Sequence, residues 1–334
     1  MTKLSSFTPL LASRIRYLTL PLFLFMLPTT VFTQALSSSQ DPSDERYRIK
    51  VNANLVVLHA TAQDHKGGLV SGLDKGSFQV YEDGALQQIK YFSHEDIPVT
   101  VGLVIDNSGS MGRKRAEVIA AALAFARSSN PQDQMFVVNF NEHVRFALPD
   151  NTPFTDQVSE LETALSRIIT NGQTALYDAV AAALEHLQKG NRDKKVLIVI
   201  SDGGDNASKT NLAQIMVLAQ HADTIIYTIG LFDEADEDRN PHVLSQLAED
   251  TGGDVFLPRS LKEAVPICER IARDIRSQYT IAYVPTNGKQ DGTYRTIQVT
   301  ASAPGRGHLL VRTRAGYRAP LDPQPSPAAR IGLP

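Results

Sequence analysis

Through the middle of the chain, short runs of unbroken apolar residues alternate with longer stretches in which apolar residues recur every three or four positions. VTVGLVID (99–106), QMFVVNF (134–140), KKVLIVIS (194–201), TIIYTIG (224–230) and DVFLP (254–258) have strand length. Helical spacing occupies roughly 113–128, 155–169, 175–189, 209–222, 240–250 and 260–277. A run that is apolar at nearly every position has no face for solvent, so these strands are buried, and their alternation with helices predicts βαβ units. The fold class expected for 97–277 is α/β, a doubly wound and mostly parallel sheet with helices on both faces.

The two ends of that segment have another rhythm. KVNANLVVLHATAQ, FQVYEDG and LQQIKYFS before it, and QYTIAYVP, YRTIQVTAS and HLLVRTRAGY after it, are six short runs rich in β-branched and aromatic residues. Asp83-Gly84 is a two-residue hairpin signal, and DHKGG is a looser turn. The runs at the two ends match in texture and are too short to form separate stable sheets, so 49–96 and 278–318 are expected to pair in one small β-sandwich-like module that carries the α/β domain as an insertion.

Outside these blocks, residues 1–35 read as a signal peptide. Lys3, Arg14 and Arg16 precede the apolar YLTLPLFLFMLP, and Thr33–Ala35 offer small residues for cleavage. The apolar stretch is too short to span ~30 Å of hydrocarbon as a helix. The protein is therefore expected to be exported to the periplasm, cell surface or medium, and to meet a membrane only if the leader stays uncleaved. Residues 36–48 are expected to be a disordered linker and 319–334 a disordered tail.

Charge and cysteine content narrow the function classes. Thirty-three Lys and Arg against 36 Asp and Glu give a formal net charge of −3, without the basic footprint a nucleic-acid binder needs. The single cysteine, Cys268, recurs with Leu261, Val265, Ile271 and Ile275 at helical spacing and reads as part of an apolar helix face. The scattered histidines make no H-x-H or H-E-x-x-H pair for zinc, and neither P-loop nor G-x-G-x-x-G occurs. The acidic run DEADEDR (233–239) lacks the spacing of a calcium loop and reads as solvated.

Parallel sheets bind ligands at the carboxyl ends of their strands. There the chain places DNSGSMG (106–112) after one strand and SDGGDN (201–206) after another. Asp106, Ser108 and Ser110 stand at alternate positions, with Gly109 and Gly112 letting the backbone curl so that three oxygens can converge. Converging hard oxygens suit Mg²⁺, which takes an octahedral shell with one or two carboxylates. Asp202 supplies a second carboxylate, and TNGQTALYDA supplies Thr174. Alone, D-x-S-x-S also reads as a turn and helix cap. Asp205 and Asn206 read as turn residues.

DNSGSM, GQTALYDA and VISDGGDN resemble, in that order, the three parts of the metal ion-dependent adhesion site of von Willebrand factor type A domains. The resemblance implies that Asp106, Ser108, Ser110, Thr174 and Asp202 surround a divalent cation, with Mg²⁺ preferred and Mn²⁺ or Ca²⁺ as alternatives. It further implies a non-catalytic module that binds another protein through an acidic side chain on the metal. The flanking segments are similar to those bracketing such domains in exported proteins abundant in Acidobacteria. Two other readings stay open. One is a Mg²⁺-dependent phosphohydrolase with Asp106 as nucleophile and Lys114 or Lys209 on phosphate; no G-x-S-x-G elbow supports a serine hydrolase. The other is a cation that only ties loops together.

Overall fold

The computed structural model describes residues 55–167, 170–232, 239–305 and 307–321. The expected signal peptide, the linker and the tail beyond Leu321 lie outside them, as do residues 233–238 of the acidic run.

The chain first lays down β1 (Val56–Gln63), β2 (Phe78–Glu82), β3 (Ala85–Gln87) and β4 (Ile89–Ser93). It then alternates β5 (Val99–Asp106), α1 (Arg115–Ser128), β6 (Gln134–Phe140), β7 (Val144–Phe146), α2 (Val158–Ser166) and α3 (Leu176–Leu187). β8 (Lys194–Ser201), α4 (Leu212–Ala222), β9 (Thr224–Gly230), α5 (Pro241–Glu249), β10 (Val255–Phe256) and α6 (Ala264–Arg276) complete this block. The chain returns to strands with β11 (Tyr279–Tyr283), β12 (Tyr294–Ala303), β13 (Gly307–Arg312) and β14 (Gly316–Arg318).

The central sheet has the order β10-β9-β8-β5-β6-β7 and is parallel except for the β6–β7 pair. All eight residues of β5 and all seven of β9 are buried, as unbroken apolar runs require of strands covered on both faces. Alternation along β5 divides the core in two. Val101, Leu103 and Ile105 pack with α1 and α6 on one face, while Val104 packs with α3 and α4 on the other. On α6, Cys268, Ile271 and Ile275 are buried with Leu261 and Val265 against them. Burial pushes the Cys268 thiol up to about 12, so it behaves as a small apolar side chain.

The flanking strands form one antiparallel sheet, in the order β3-β2-β12-β13-β1-β11-β4 with β14 on β12. Strands from both ends interleave: β1 pairs with β11 and β13, and β2 with β12. Side chains from β1, β2, β4, β11, β12, β13 and β14 share one core, so the sheet folds over on itself as a sandwich or near-barrel. Asp83 (φ 48°) and Gly84 (φ 80°) make the tight β2–β3 turn. Among the described residues eight strands stand where the sequence pattern predicts six, because LQQIKYFS divides into β3 and β4 and HLLVRTRAGY into β13 and β14. Beyond them, Ala319 is buried and its N–H donates to the Thr293 carbonyl.

Two boundaries in the α/β block differ from expectation. Helix α2 begins at Val158 rather than near 155, because Thr155 exchanges two backbone hydrogen bonds with Met135 beside β6. The edge strand β7 has only three residues, with Phe146 exposed, and leaves no periodic signal.

Candidate metal centre at the carboxyl ends of the central strands

Strands β5 and β8 are neighbours in register, so their last residues, Asp106 and Ser201, finish side by side, with Asp202 the next residue on. Asp106 is 1% exposed. Its Oδ1 accepts from the Ser108 backbone N–H (2.8 Å) and its Oδ2 from the Ser201 hydroxyl (2.6 Å). Burial, and then the charge of Asp202, push its carboxyl up to about 6.

Ser108 is buried and Ser110 half-buried on the turn that leaves β5. Their hydroxyl oxygens lie 3.1 Å apart, and Ser110 Oγ donates to Asp202 Oδ2 at 2.5 Å. Asp202, also buried, accepts at Oδ1 from the Gly204 N–H (3.1 Å). Ser108, Ser110 and Asp202 thus form a chain of side-chain oxygens, with Asp106 held behind it by Ser201.

Thr174 reaches this place through its backbone. Its carbonyl accepts from the N–H groups of Asn206 and Ala207, and its N–H donates to Asn206 Oδ1. The same loop meets the serine loop where the Gly109 N–H donates to the Gly172 carbonyl and the Asn171 N–H to the Asn107 carbonyl. The structure therefore brings together the three loops that carry all five residues singled out in the sequence.

Two glycines permit these close approaches. Gly203 has φ +78°, and a Cβ there would collide with the Asn240 carbonyl oxygen. Gly172 has φ +83°, and a Cβ there would enter the space of the Glu142 carboxylate.

Sequence reasoning missed Ser201, whose position as the last residue of an apolar strand and directly before Asp202 is the only signal it leaves. It also left Asp205 and Asn206 as turn residues. Asp205 Oδ1 accepts from the Tyr177 N–H and from the Ser208 hydroxyl, so it fastens the start of α3. Asn206 fastens Thr174. Of the lysines in the phosphohydrolase reading, Lys114 is buried and donates to the Leu231 carbonyl at 2.7 Å, while Lys209 is exposed.

The von Willebrand factor type A domain family matches residues 100–267. The chain is 27% identical over 203 residues to inter-alpha-trypsin inhibitor heavy chain H4 of Bos taurus, covering 55% of this chain and 22% of that protein. An uncharacterized protein of Synechocystis is 22% identical over 172 residues, covering 51% of this chain and 40% of that one. The chain thus spans well under half the length of these relatives. Among solved structures, a von Willebrand factor type A protein from Catenulispora acidiphila has a TM-score of 0.48 at 15% identity, covering 81% of this chain and 74% of that one. The domain of the type V pilus tip protein Mfa5 from Porphyromonas gingivalis has a TM-score of 0.45 at 15% identity, covering 54% and 95% respectively.

Proposed function

Since this chain belongs to the von Willebrand factor type A domain family, we propose that its sheet-end loops are a complete metal ion-dependent adhesion site through which the protein binds another protein. Asp106, Ser108, Ser110, Thr174 and Asp202 would hold one divalent cation, Mg²⁺ before Mn²⁺ or Ca²⁺. The observation that carries this is the juxtaposition of two buried carboxylates, Asp106 and Asp202, with serine hydroxyls: Ser110 Oγ lies 2.5 Å from Asp202 Oδ2 and 3.1 Å from Ser108 Oγ. Two like charges held close in a poorly solvated place favour a cation, and an all-oxygen donor set fits a hard one.

A bound cation supplies positive charge for an incoming carboxylate. The chain's own groups do the positioning. Ser201 holds one oxygen of Asp106, the Ser108 N–H holds the other, and Asn206 holds the loop of Thr174. Neutral hydroxyls add no charge, so the ion remains attractive to an acidic side chain of the partner.

The same reading places the protein outside the cytoplasm. The leader-like residues 1–35 and the group of exported proteins that its flanks resemble support that placement. The domain at 97–277 then presents its loops from a base made of 49–96 and 278–318. In the phosphohydrolase reading Lys114 is the weaker candidate for phosphate, because it is buried and its Nζ donates to the Leu231 carbonyl.

The test is calorimetric Mg²⁺ titration together with capture of partners from the native envelope, with and without EDTA. Asp106→Ala abolishes Mg²⁺ binding and capture, while Ser110→Ala weakens both more mildly because water can replace a neutral ligand. If Asp106→Ala captures its partner in EDTA as well as the parent does in Mg²⁺, recognition lies elsewhere. Turnover of p-nitrophenyl phosphate that requires Mg²⁺ and Asp106 would support the phosphohydrolase instead.

A further inference from the structure

A cavity of about 280 Å³ opens beside the proposed metal centre, between the end of β6, the β6–β7 turn and the loops of Asn107 and Asn171. Asn107 lies between Asp106 and Ser108 in the chain and also lines this cavity, so the two places share a wall. The volume falls just below the ~300–1,000 Å³ of small-molecule sites, which suits one side chain and its backbone rather than a cofactor.

The lining is cationic at its rim and polar within. Arg145 and Arg167 are both exposed there, and among the described residues no ion pair engages either guanidinium. The one carboxylate of the lining, Glu142, is turned across to the loop before α3, where its Oε2 accepts from the Gln173 N–H at 3.0 Å; the charge of Arg145 acts on it without a direct ion pair. Asn141 is likewise committed, its amide donating to Asn171 and its carbonyl oxygen accepting from the His143 N–H. Asn139 is different: its Oδ1 is buried with no hydrogen-bond partner. That atom is enclosed by the chain, so the groups an incoming ligand meets here are those of the rim.

We propose that this cavity is a second subsite for the partner, taking an acidic side chain between Arg145 and Arg167 at its rim. The occupant is an acidic peptide segment with two carboxylates, one for the metal and one for the arginines. The inference rests on the metal-dependent reading above and deepens it, because it converts recognition of any acid into recognition of an acidic pair. Arginine suits this role, since its planar donors meet a carboxylate in pairs.

The test uses the full chain and immobilised Gly-Ser peptides that carry either one aspartate or two separated by a few residues, in Mg²⁺ and in EDTA. In Mg²⁺ the two-aspartate peptide binds about tenfold tighter than the one-aspartate peptide, as expected of an added charge-assisted contact. Arg145→Gln with Arg167→Gln removes that advantage while calorimetric Mg²⁺ affinity and one-aspartate binding stay as in the parent; both side chains are exposed, so the fold tolerates the change. Equal capture of the two peptides, capture of neither, or an advantage that survives the double substitution overturns the subsite. Binding of both peptides that ignores EDTA and Asp106→Ala instead overturns the metal reading beneath it.

Discussion

Ser201 donates its hydroxyl proton to Asp106 Oδ2 across a distance of 2.6 Å, joining the last residues of β8 and β5. Ser201 also accepts from the Gly203 N–H at 3.0 Å, so one fully buried hydroxyl aligns the carboxylate and the turn that carries Asp202. Groups behind a metal ligand commonly change affinity by about 10–100-fold when removed. Ser201→Ala is therefore expected to weaken Mg²⁺ binding by roughly tenfold, measured by isothermal calorimetry, while the circular dichroism spectrum stays that of the parent. Unchanged affinity would mean that Asp106 is oriented by its bond to the Ser108 N–H alone.

Gly203 gives a prediction about folding rather than about binding. Its φ of +78° is unfavourable for any residue with a Cβ, and the added atom meets the Asn240 carbonyl oxygen. The neighbouring Asn240 N–H donates to the Asp202 carbonyl, so the strain falls on the site itself. Gly203→Ala is expected to cost ~1–3 kcal/mol of stability in urea unfolding, with Mg²⁺ affinity falling in parallel. A variant as stable as the parent would show that the loop can rearrange freely.

The parts of this architecture that were legible in the sequence are those where one residue type dominates a segment. β5, β8 and β9 announce themselves because a strand buried on both faces must be apolar throughout. Asp106, Ser108, Ser110, Thr174 and Asp202 stand out because strand ends bring distant loops together. What stayed hidden depends on neighbours that no local pattern encodes. Ser201 looks like the polar last residue of a strand until Asp106 is seen beside it. The break of LQQIKYFS into β3 and β4 is set by pairing with β2 on one side and β11 on the other. Thr155 is extended only because Met135 lies opposite.

Lys194 gives the pH prediction. It is buried, its Nζ donates to the Ile275 carbonyl at 2.5 Å, and burial lowers its ammonium from 10.5 to about 7. The folded chain then loses this proton at a lower pH than the unfolded chain does. Between pH 7 and about 10 the unfolded state binds more protons, so stability rises with pH across that window. The slope from this group is at most about 1.4 kcal/mol per pH unit. Lys194→Met is expected to flatten that part of a urea-midpoint profile. An unaltered slope in the variant assigns the effect to another group.

The last prediction concerns how the two ends of the chain hold each other. Glu82, on β2, accepts from the Tyr283 hydroxyl (2.7 Å) and the Tyr317 hydroxyl (3.0 Å) and pairs with Arg295 (3.2 Å); these three partners come from β11, β14 and β12. Burial first, and then the bond to Glu82, push Tyr317 up to about 12, so it remains a protonated donor throughout the neutral range. Arg295 and Glu82 have side chains only 3% and 2% exposed. Removing the cation strands a charge where water does not reach, which costs ~3–5 kcal/mol, more than an apolar replacement recovers. Arg295→Met is therefore expected to destabilise the chain by that amount in urea, and adding Glu82→Gln to restore part of it, because the neutral amide leaves no buried charge. For the same reason residues 49–96 expressed alone are expected to show no cooperative unfolding transition, since Glu82 then lacks every one of these partners and β1 lacks both neighbours. A cooperative transition in that fragment, or an Arg295→Met variant as stable as the parent, would show that the N-terminal strands form a module without the C-terminal ones.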